Sequence, residues 1–177
     1  MRQIRGLILG FVVLMLVQSC QSNKRANNYN NKPLVDNDGL LFFTNATETA
    51  LTTVKVSGLA ISNSKNQQVI QFAKKMIDDH TRLAVDLKKL QTDNFITSED
   101  SINLLHQQMI AGLEKKRAAV FDKAYIQEMV SEHEQQVNLF NAASRGKNVN
   151  ISDFALKELP VLKARLDSAR TINLNLK

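Results

Sequence analysis

The stretch that decides the fold is residues 69–90, VIQFAKKMIDDHTRLAVDLKKL. Apolar side chains return in it every three or four residues, and charged side chains fill most positions between them. This spacing places the apolar side chains on one face of an α-helix. The sequence therefore predicts an amphipathic helix from about residue 64 to residue 90, whose apolar face must pack against other elements.

The same periodicity recurs on both sides of this stretch. It predicts further helical segments over about 36–60, 98–113, 118–145 and 150–172, the two middle ones being either separate helices or one bent helix. Asp36 or Asp38 is the expected cap of the first segment, and Thr97 or Ser98 that of the segment after residue 97. No segment alternates apolar and polar residues for long enough to predict a sheet.

Proline is rare in this chain, with two residues in all, and Pro160 lies inside the last helical segment. A proline there removes a backbone hydrogen bond and crowds the preceding turn, so we expect a kink or a break into two shorter helices. Amphipathic helices of these lengths bury their apolar faces most readily as an antiparallel bundle. The predicted fold is all-α, an antiparallel four-helix bundle with a possible fifth short helix arising at Pro160.

The N-terminus has the features of an export signal. Arg2 and Arg5 precede an apolar run over residues 7–17, and Cys20, the only cysteine of the chain, follows shortly after. The run is about half as long as a membrane-spanning helix. Residues 17–20, VQSC, resemble the lipobox of bacterial lipoprotein signal peptides, in which the cysteine is acylated. An ordinary cleaved signal peptide and an uncleaved anchor are the alternatives.

These features divide the chain into three parts. Residues 1–19 are the predicted signal peptide, which is removed, and residues 20–35 are the lipidated Cys20 with an asparagine-rich flexible tether. Residues 36–177 form the predicted bundle domain. Gln21 follows the cysteine in place of the aspartate that typically signals inner-membrane retention, so we expect attachment to the outer membrane, facing the periplasm.

The charge of the chain argues against nucleic-acid binding. It has 23 Lys and Arg against 17 Asp and Glu, a formal net charge of +6. Its short lysine clusters are interrupted by acidic or apolar residues within a few positions, whereas a nucleic-acid site concentrates basic side chains on one face. We expect the membrane, through the N-terminal lipid, and an unidentified envelope protein as partners.

Three motifs occur together in the predicted bundle: FAKKMIDDH at 72–80, FDKAYIQEMVSEH at 121–133 and LPVLKARL at 159–166. In this order and spacing they resemble the ferritin-like bacterial domain-of-unknown-function family numbered 4142. The resemblance implies a ferritin-like four-helix bundle in an exported or envelope-associated protein, with no established biochemical activity.

The resemblance also raises the question of a metal site, because the family commonly carries a histidine in each motif and a glutamate on the first helix. His80 and His133 retain two of these histidines. Arg165 stands where the third is usual, and Thr53 and Lys55 stand near the position of the expected acid. A cationic side chain such as Arg165 repels a metal ion.

A di-iron bundle requires a Glu-x-x-His pair on each of two helices. Ile77, Asn103 and Val130 precede the three histidines by three residues, so no such pair exists. We therefore interpret His80, His106 and His133 as hydrogen-bonded structural residues. The same reasoning predicts a polar cluster in which Arg165 pairs with Asp79 or Glu132 and fixes the register of the helices.

Catalytic signatures are not found in the sequence. The glycines at 58, 112 and 146 are isolated, so no phosphate-binding loop is predicted, and no serine lies in a glycine-flanked turn. The predicted function is a non-enzymatic envelope lipoprotein whose bundle acts as an interaction or stress-protective module, without a cofactor. The alternative is a degenerate or atypical iron or zinc site built from His80 and His133 with nearby carboxylates such as Asp79 and Glu132.

Overall fold

The computed structural model describes residues 35–97 and 101–176. Within these ranges the chain forms five α-helices and no β-strand: α1 Asn37–Asn63, α2 Gln67–Asp93, α3 Leu104–Glu114, α4 Ala118–Ala143 and α5 Val149–Asn175. The predicted all-α helical bundle is confirmed. The predicted signal peptide, Cys20 and nearly all of the tether lie outside the described residues.

Short polar side chains set where four of the helices begin. Asp36 caps α1 by accepting a hydrogen bond from the Gly39 amide at 3.0 Å, and Asn66, Asn103 and Asn148 cap α2, α3 and α5 in the same way. The expected cap at Thr97 or Ser98 is wrong, because Asn103 accepts from the His106 amide at 2.9 Å and starts α3 there.

The four long helices surround one core. Helix α1 packs on α2 and α4, and α5 packs on the same two helices. Ser57 meets Tyr125 across α1 and α4, and Arg82 meets Glu158 across α2 and α5, with neighbouring helices antiparallel. Helices α2 and α4 consequently run parallel on one diagonal, so the connection over residues 94–117, which contains α3, runs back along the bundle. One long crossover of this kind is typical of ferritin-like bundles.

The expected break at Pro160 is wrong, since α5 continues through it. Pro160 is exposed, and so is Leu156, whose carbonyl loses its helical donor; that carbonyl can therefore bond to water. Leu159 and Leu162 on either side of the proline are buried in the core and hold both halves of α5 in line. The fifth, short helix is α3, which lies in the crossover.

A layer of buried polar residues divides the core into two hydrophobic clusters. One cluster surrounds Tyr125 and Met76, and the other surrounds Phe43 and Phe140. Between them, at the middle of the long helices, lie five polar residues that are at most 1% exposed: Thr52, Thr53, His80, His133 and Gln136. The candidate site lies in and beside this polar layer.

Candidate functional site

The histidine pair, His80 of α2 and His133 of α4, lies across the diagonal of the bundle. Their Nε2 atoms are 3.2 Å apart and the rings meet edge to face. His133 Nδ1 is 2.7 Å from the carbonyl oxygen of Met129, which only accepts hydrogen bonds, so His133 carries its proton on Nδ1. Neutral His133 then accepts through Nε2 from His80 Nε2–H, and the unprotonated nitrogen of His80 is Nδ1.

Burial keeps both imidazoles of the histidine pair neutral. It lowers the pKa of His133 to about 4, with a further lowering from the charge of Arg165. It lowers the pKa of His80 well below the usual value, assisted by repulsion from His133, Arg165 and Arg82. The histidine pair is therefore uncharged at neutral pH.

Arg165 of α5 pairs with Asp79 of α2, the residue next to His80. Arg165 Nε donates to Asp79 Oδ2, and the two side chains are 16% and 24% exposed. Of the two pairings expected for Arg165, the structure therefore contains the one with Asp79. The guanidinium lies near enough to the histidine pair to disfavour its protonation.

Glu132 takes part in a second cluster, the carboxylate clamp, formed by Glu48, His106 and Glu132. His106 Nδ1 is 2.9 Å from Glu48 Oε1, and its Nε2 is 3.2 Å from Glu132 Oε1. Glu48 Oε1 also accepts from the backbone amide of Asn103 at 2.7 Å. The clamp thus ties α3 and its N-terminal cap to both α1 and α4.

A proton is required between His106 and Glu132. An ionised carboxylate only accepts hydrogen bonds, so the second of the two contacts needs a proton beyond the one on a neutral His106, carried either by the imidazole or by one of the two carboxyl groups. Burial raises the pKa of Glu132, and the neighbouring charges of Glu128 and Glu48 add to the increase, against the opposing effect of His106. The clamp therefore holds an additional proton among three largely buried side chains.

The side chains of Leu104 and Leu105 face solvent at the start of α3. Leu104 and Leu105 are 66% and 74% exposed, whereas Ile110 and Leu113 are buried. His106 is bound at both ring nitrogens, which fixes the rotation of α3. The preceding residue is turned about 100° away from the bundle as a result.

The polar layer contains several atoms without a hydrogen-bond partner among the described residues. They are the hydroxyls of Thr52 and Thr53, Nδ1 of His80, and both amide atoms of Gln136. Buried polar atoms usually have partners, and leaving one without costs about 1–3 kcal/mol. Each of these atoms carries such a cost relative to a hydrogen-bonded one.

The four residues of the predicted alternative metal site are not brought together around one point. His80 and His133 bond to each other, Asp79 bonds to Arg165, and Glu132 bonds to His106. Within residues 35–97 and 101–176 no three His, Cys, Asp or Glu side chains group as metal ligands do. In addition, Arg165 places a positive charge beside the two histidines.

Sequence reasoning missed the contact between Glu48 and His106. The two residues are 58 positions apart and lie on helices joined through the crossover. Glu48 occupies a polar position on α1, and His106 was interpreted only as a hydrogen-bonded structural residue, without a named partner. Nothing in the local pattern of either segment signals the contact.

The family of the chain follows from its sequence profile. The family described as "Domain of unknown function (DUF4142)" matches residues 24–172. The chain belongs to the DUF4142 family. Comparisons with curated proteins and with solved structures gave no match. Within the described part of this DUF4142 chain, no helix has both the length and the apolar character needed to cross a membrane.

Membership of the DUF4142 family agrees with the helical bundle and does not identify a reaction. The three motifs that carried the resemblance place His80, His133 and Arg165 in and beside the polar layer of the DUF4142 bundle. Two of those side chains are buried and bonded within the protein, and the third is held by Asp79. The three side chains thus connect α2 with α4 and with α5.

Proposed function

We propose that this protein is a non-enzymatic lipoprotein of the bacterial cell envelope whose DUF4142 bundle is an interaction or stress-protective module. The observation that carries the proposal is Cys20, which follows a basic and then apolar N-terminus and precedes the helical domain by about 15 residues. The proposed location is the outer membrane, with the bundle in the periplasm.

The polar side chains of the site are buried or paired within the protein, which supports a non-enzymatic role. A catalytic group needs a free atom that can reach a substrate, and the histidine pair is at most 1% exposed. Arg165, Asp79 and Glu132 are each held by a protein partner. Exposed apolar residues instead offer contact area, in particular the adjacent Leu104 and Leu105 on α3.

Metabolic labelling with palmitate tests the anchor. We expect the full-length protein to incorporate label and to fractionate with the outer membrane, and we expect Cys20→Ser to abolish incorporation. Ser22→Ala is the matched control, since it alters a neighbouring residue and leaves the acceptor thiol in place. Label that persists in Cys20→Ser contradicts the proposal.

A photo-crosslinking amino acid tests the interaction module. At Leu105, which is 74% exposed on α3, it should yield a discrete adduct with another envelope protein in intact cells. At Lys123, on the exposed side of α4, it should yield none. Equal labelling from the two positions would show that the surface of α3 has no special role.

The second candidate is an atypical metal-binding bundle, and one observation favours it. His133 donates its Nδ1–H to the backbone carbonyl of Met129. Metal-ligating histidines generally make such a hydrogen bond with the ring nitrogen that does not bind the metal. Elemental analysis of the purified protein decides between the two functions. Stoichiometric iron or zinc that is lost in the double variant His80→Ala, His133→Ala, and retained in His106→Ala, would replace the first proposal with the second.

A further inference from the structure

One end of the bundle exposes three large apolar side chains. This proximal end comprises residues 35–42, 93–97 and 143–151. Leu41, Phe95 and Val149 are 59%, 58% and 68% exposed there. The two segments that carry Phe95 and Val149 are joined, since Asn148 Nδ2 donates to Asn94 Oδ1 at 3.3 Å. A groove of about 430 Å³ beside them is lined by Leu41, Phe42, Leu139 and Ile151, among others.

Phe95 is held outward by an unusual backbone. Its φ of 56° lies in the left-handed region, which bulky residues rarely adopt. The loop is nonetheless fixed, because the amides of Phe95 and Ile96 donate to the carbonyls of Thr92 and Gln91 at 3.1 and 2.9 Å. Ile96 is buried while Phe95 faces solvent. These two hydrogen bonds close the C-terminus of α2 as a Schellman motif, in which the left-handed residue turns its ring to solvent.

The position of residue 35 indicates what this end faces. The described chain starts at Val35, in the proximal end, and Cys20 precedes it by about 15 residues, a reach of about 50 Å when fully stretched. The opposite end lies about 38 Å further, the rise of α5 from Val149 to Leu174 at 1.5 Å per residue. Contact of the opposite end with the membrane would require the intervening segment to span about 38 Å of its roughly 50 Å reach, whereas contact of the proximal end requires no extension, so an anchor at Cys20 favours the proximal end.

The charges of the proximal end nearly balance. Arg145 and Lys147 are exposed, as are Asp36, Asp38 and Asp93. Attraction to acidic lipids is consequently weak, and apolar contact remains as the source of binding. Aromatic and aliphatic side chains at the level of the headgroups supply that contact in peripheral membrane proteins.

We infer that the proximal end docks on the phospholipid bilayer, with Phe95, Leu41 and Val149 inserted into its interfacial region. The inference rests on the lipid anchor proposed above. Anchoring makes docking an intramolecular step at high effective concentration, so three side chains suffice where a free domain needs more. The docked bundle stands on the membrane by its proximal end, and α3 remains free for a protein partner.

Tryptophan fluorescence tests the inference, because the chain contains no tryptophan of its own. Full-length lipidated Phe95→Trp is reconstituted into phosphatidylcholine vesicles with brominated acyl chains, which quench tryptophan on contact. We expect Trp emission from this variant to shift to shorter wavelength and to lose most of its intensity. High salt should leave the quenching unchanged, because the charges balance.

Leu174→Trp is the matched control, since Leu174 is 85% exposed at the far end of α5. Its emission should be the same in brominated and ordinary vesicles. Val149→Trp provides an independent reporter if Phe95→Trp does not fold. Vesicle flotation separates the two proposals: a protein that fails to float contradicts the anchor, whereas one that floats with unquenched Phe95→Trp and Val149→Trp overturns docking alone.

Discussion

The histidine pair and the carboxylate clamp place the same residue type in opposite settings. His80 and His133 are fully buried, bond to each other and are kept neutral by burial. His106 is 20% exposed and lies between two carboxylates, in a cluster that must retain a proton. The position of a histidine on the apolar face of a helix therefore does not reveal its charge, because its neighbours on other helices decide that charge.

The largest expected effect is acid destabilisation through the histidine pair. The pKa of His133 is about 4 in the folded protein and near 6.5 when unfolded. Between these two pH values the unfolded state binds a proton that the folded state does not. The contribution of His133 to the free energy of unfolding is therefore fully present above pH 6.5 and is lost as pH decreases from 6.5 through 4. His133 alone contributes about 3 kcal/mol to that loss, and His80 acts in the same direction.

Urea unfolding at pH 7 and at pH 4.5 measures this loss. The double variant His80→Gln, His133→Gln should show a clearly smaller decrease in the free energy of unfolding between the two pH values. His106→Gln serves as the comparison, since it removes the clamp histidine and leaves the pair intact. If the double variant keeps the full decrease, burial is not what sets the charge of the pair.

Arg165→Ala should lower the free energy of unfolding by about 2 kcal/mol, because it leaves Asp79 without its partner in a half-buried position. Calorimetry should show a melting temperature lower by several degrees with unchanged metal content. The decrease in the free energy of unfolding between pH 7 and pH 4.5 should become smaller as well, since the charge that repels protonated histidine in the folded protein is gone and the folded-state pKa of the pair rises toward its unfolded value.

Arg170→Ala is the control for this prediction. Arg170 pairs with Glu134 at 2.7 Å, but both side chains are about half exposed, and such pairs contribute at most about 1 kcal/mol. Equal effects of the two substitutions would mean that the pairing of Arg165 with Asp79 has no special structural role.

Glu48→Ala should weaken the clamp by about 1.5 kcal/mol, because one carboxylate oxygen accepts from both Asn103 and His106. The effect should be local, with faster amide hydrogen exchange in residues 101–114 than in α2. Glu128→Ala removes a carboxylate from α4 that makes none of the clamp's hydrogen bonds. Unchanged exchange in Glu48→Ala would show that α3 is held by its apolar contacts alone.

The smallest expected effect is a gain in the free energy of unfolding. Thr53→Val replaces a buried hydroxyl that has no partner among the described residues by a methyl group of the same shape, and should stabilise the protein by about 1 kcal/mol. Thr49→Val is the control, because its hydroxyl donates to the Asn45 carbonyl at 2.8 Å and its loss should bring no gain. Destabilisation by Thr53→Val, measured by urea unfolding, would indicate a hydrogen-bond partner in the polar layer.

Much of the fold was predictable because helical periodicity is local. The spacing of apolar residues located α2 and α5 to within a few residues, and the restart at residue 118 located α4. The errors arose where tertiary contacts compete with local rules. Pro160 does not break α5, since buried leucines hold both sides. Helix α3 begins only at Leu104, because its cap Asn103 is held by Glu48, which binds the amide of that residue.

The candidate site was predictable in composition and only partly in arrangement. The motifs placed His80, His133 and Arg165 on buried or half-buried faces, and the pairing of Arg165 with Asp79 was one of two expected alternatives. The other, with Glu132, is wrong, because the clamp engages Glu132. Choosing between them requires the rotation of α4 relative to α5, which sequence spacing does not contain.

The sequence by itself determined the helical segments, the bundle class and the family, because each depends on periodicity or on motifs within one segment. Only the tertiary structure decided that His80 meets His133 across 53 residues and that Glu48 reaches His106 across 58. Such contacts follow from the parallel course of α2 and α4 and from the crossover that returns α3 along the bundle. Charge and hydrogen bonding depend on neighbours in space, and this packing sets them.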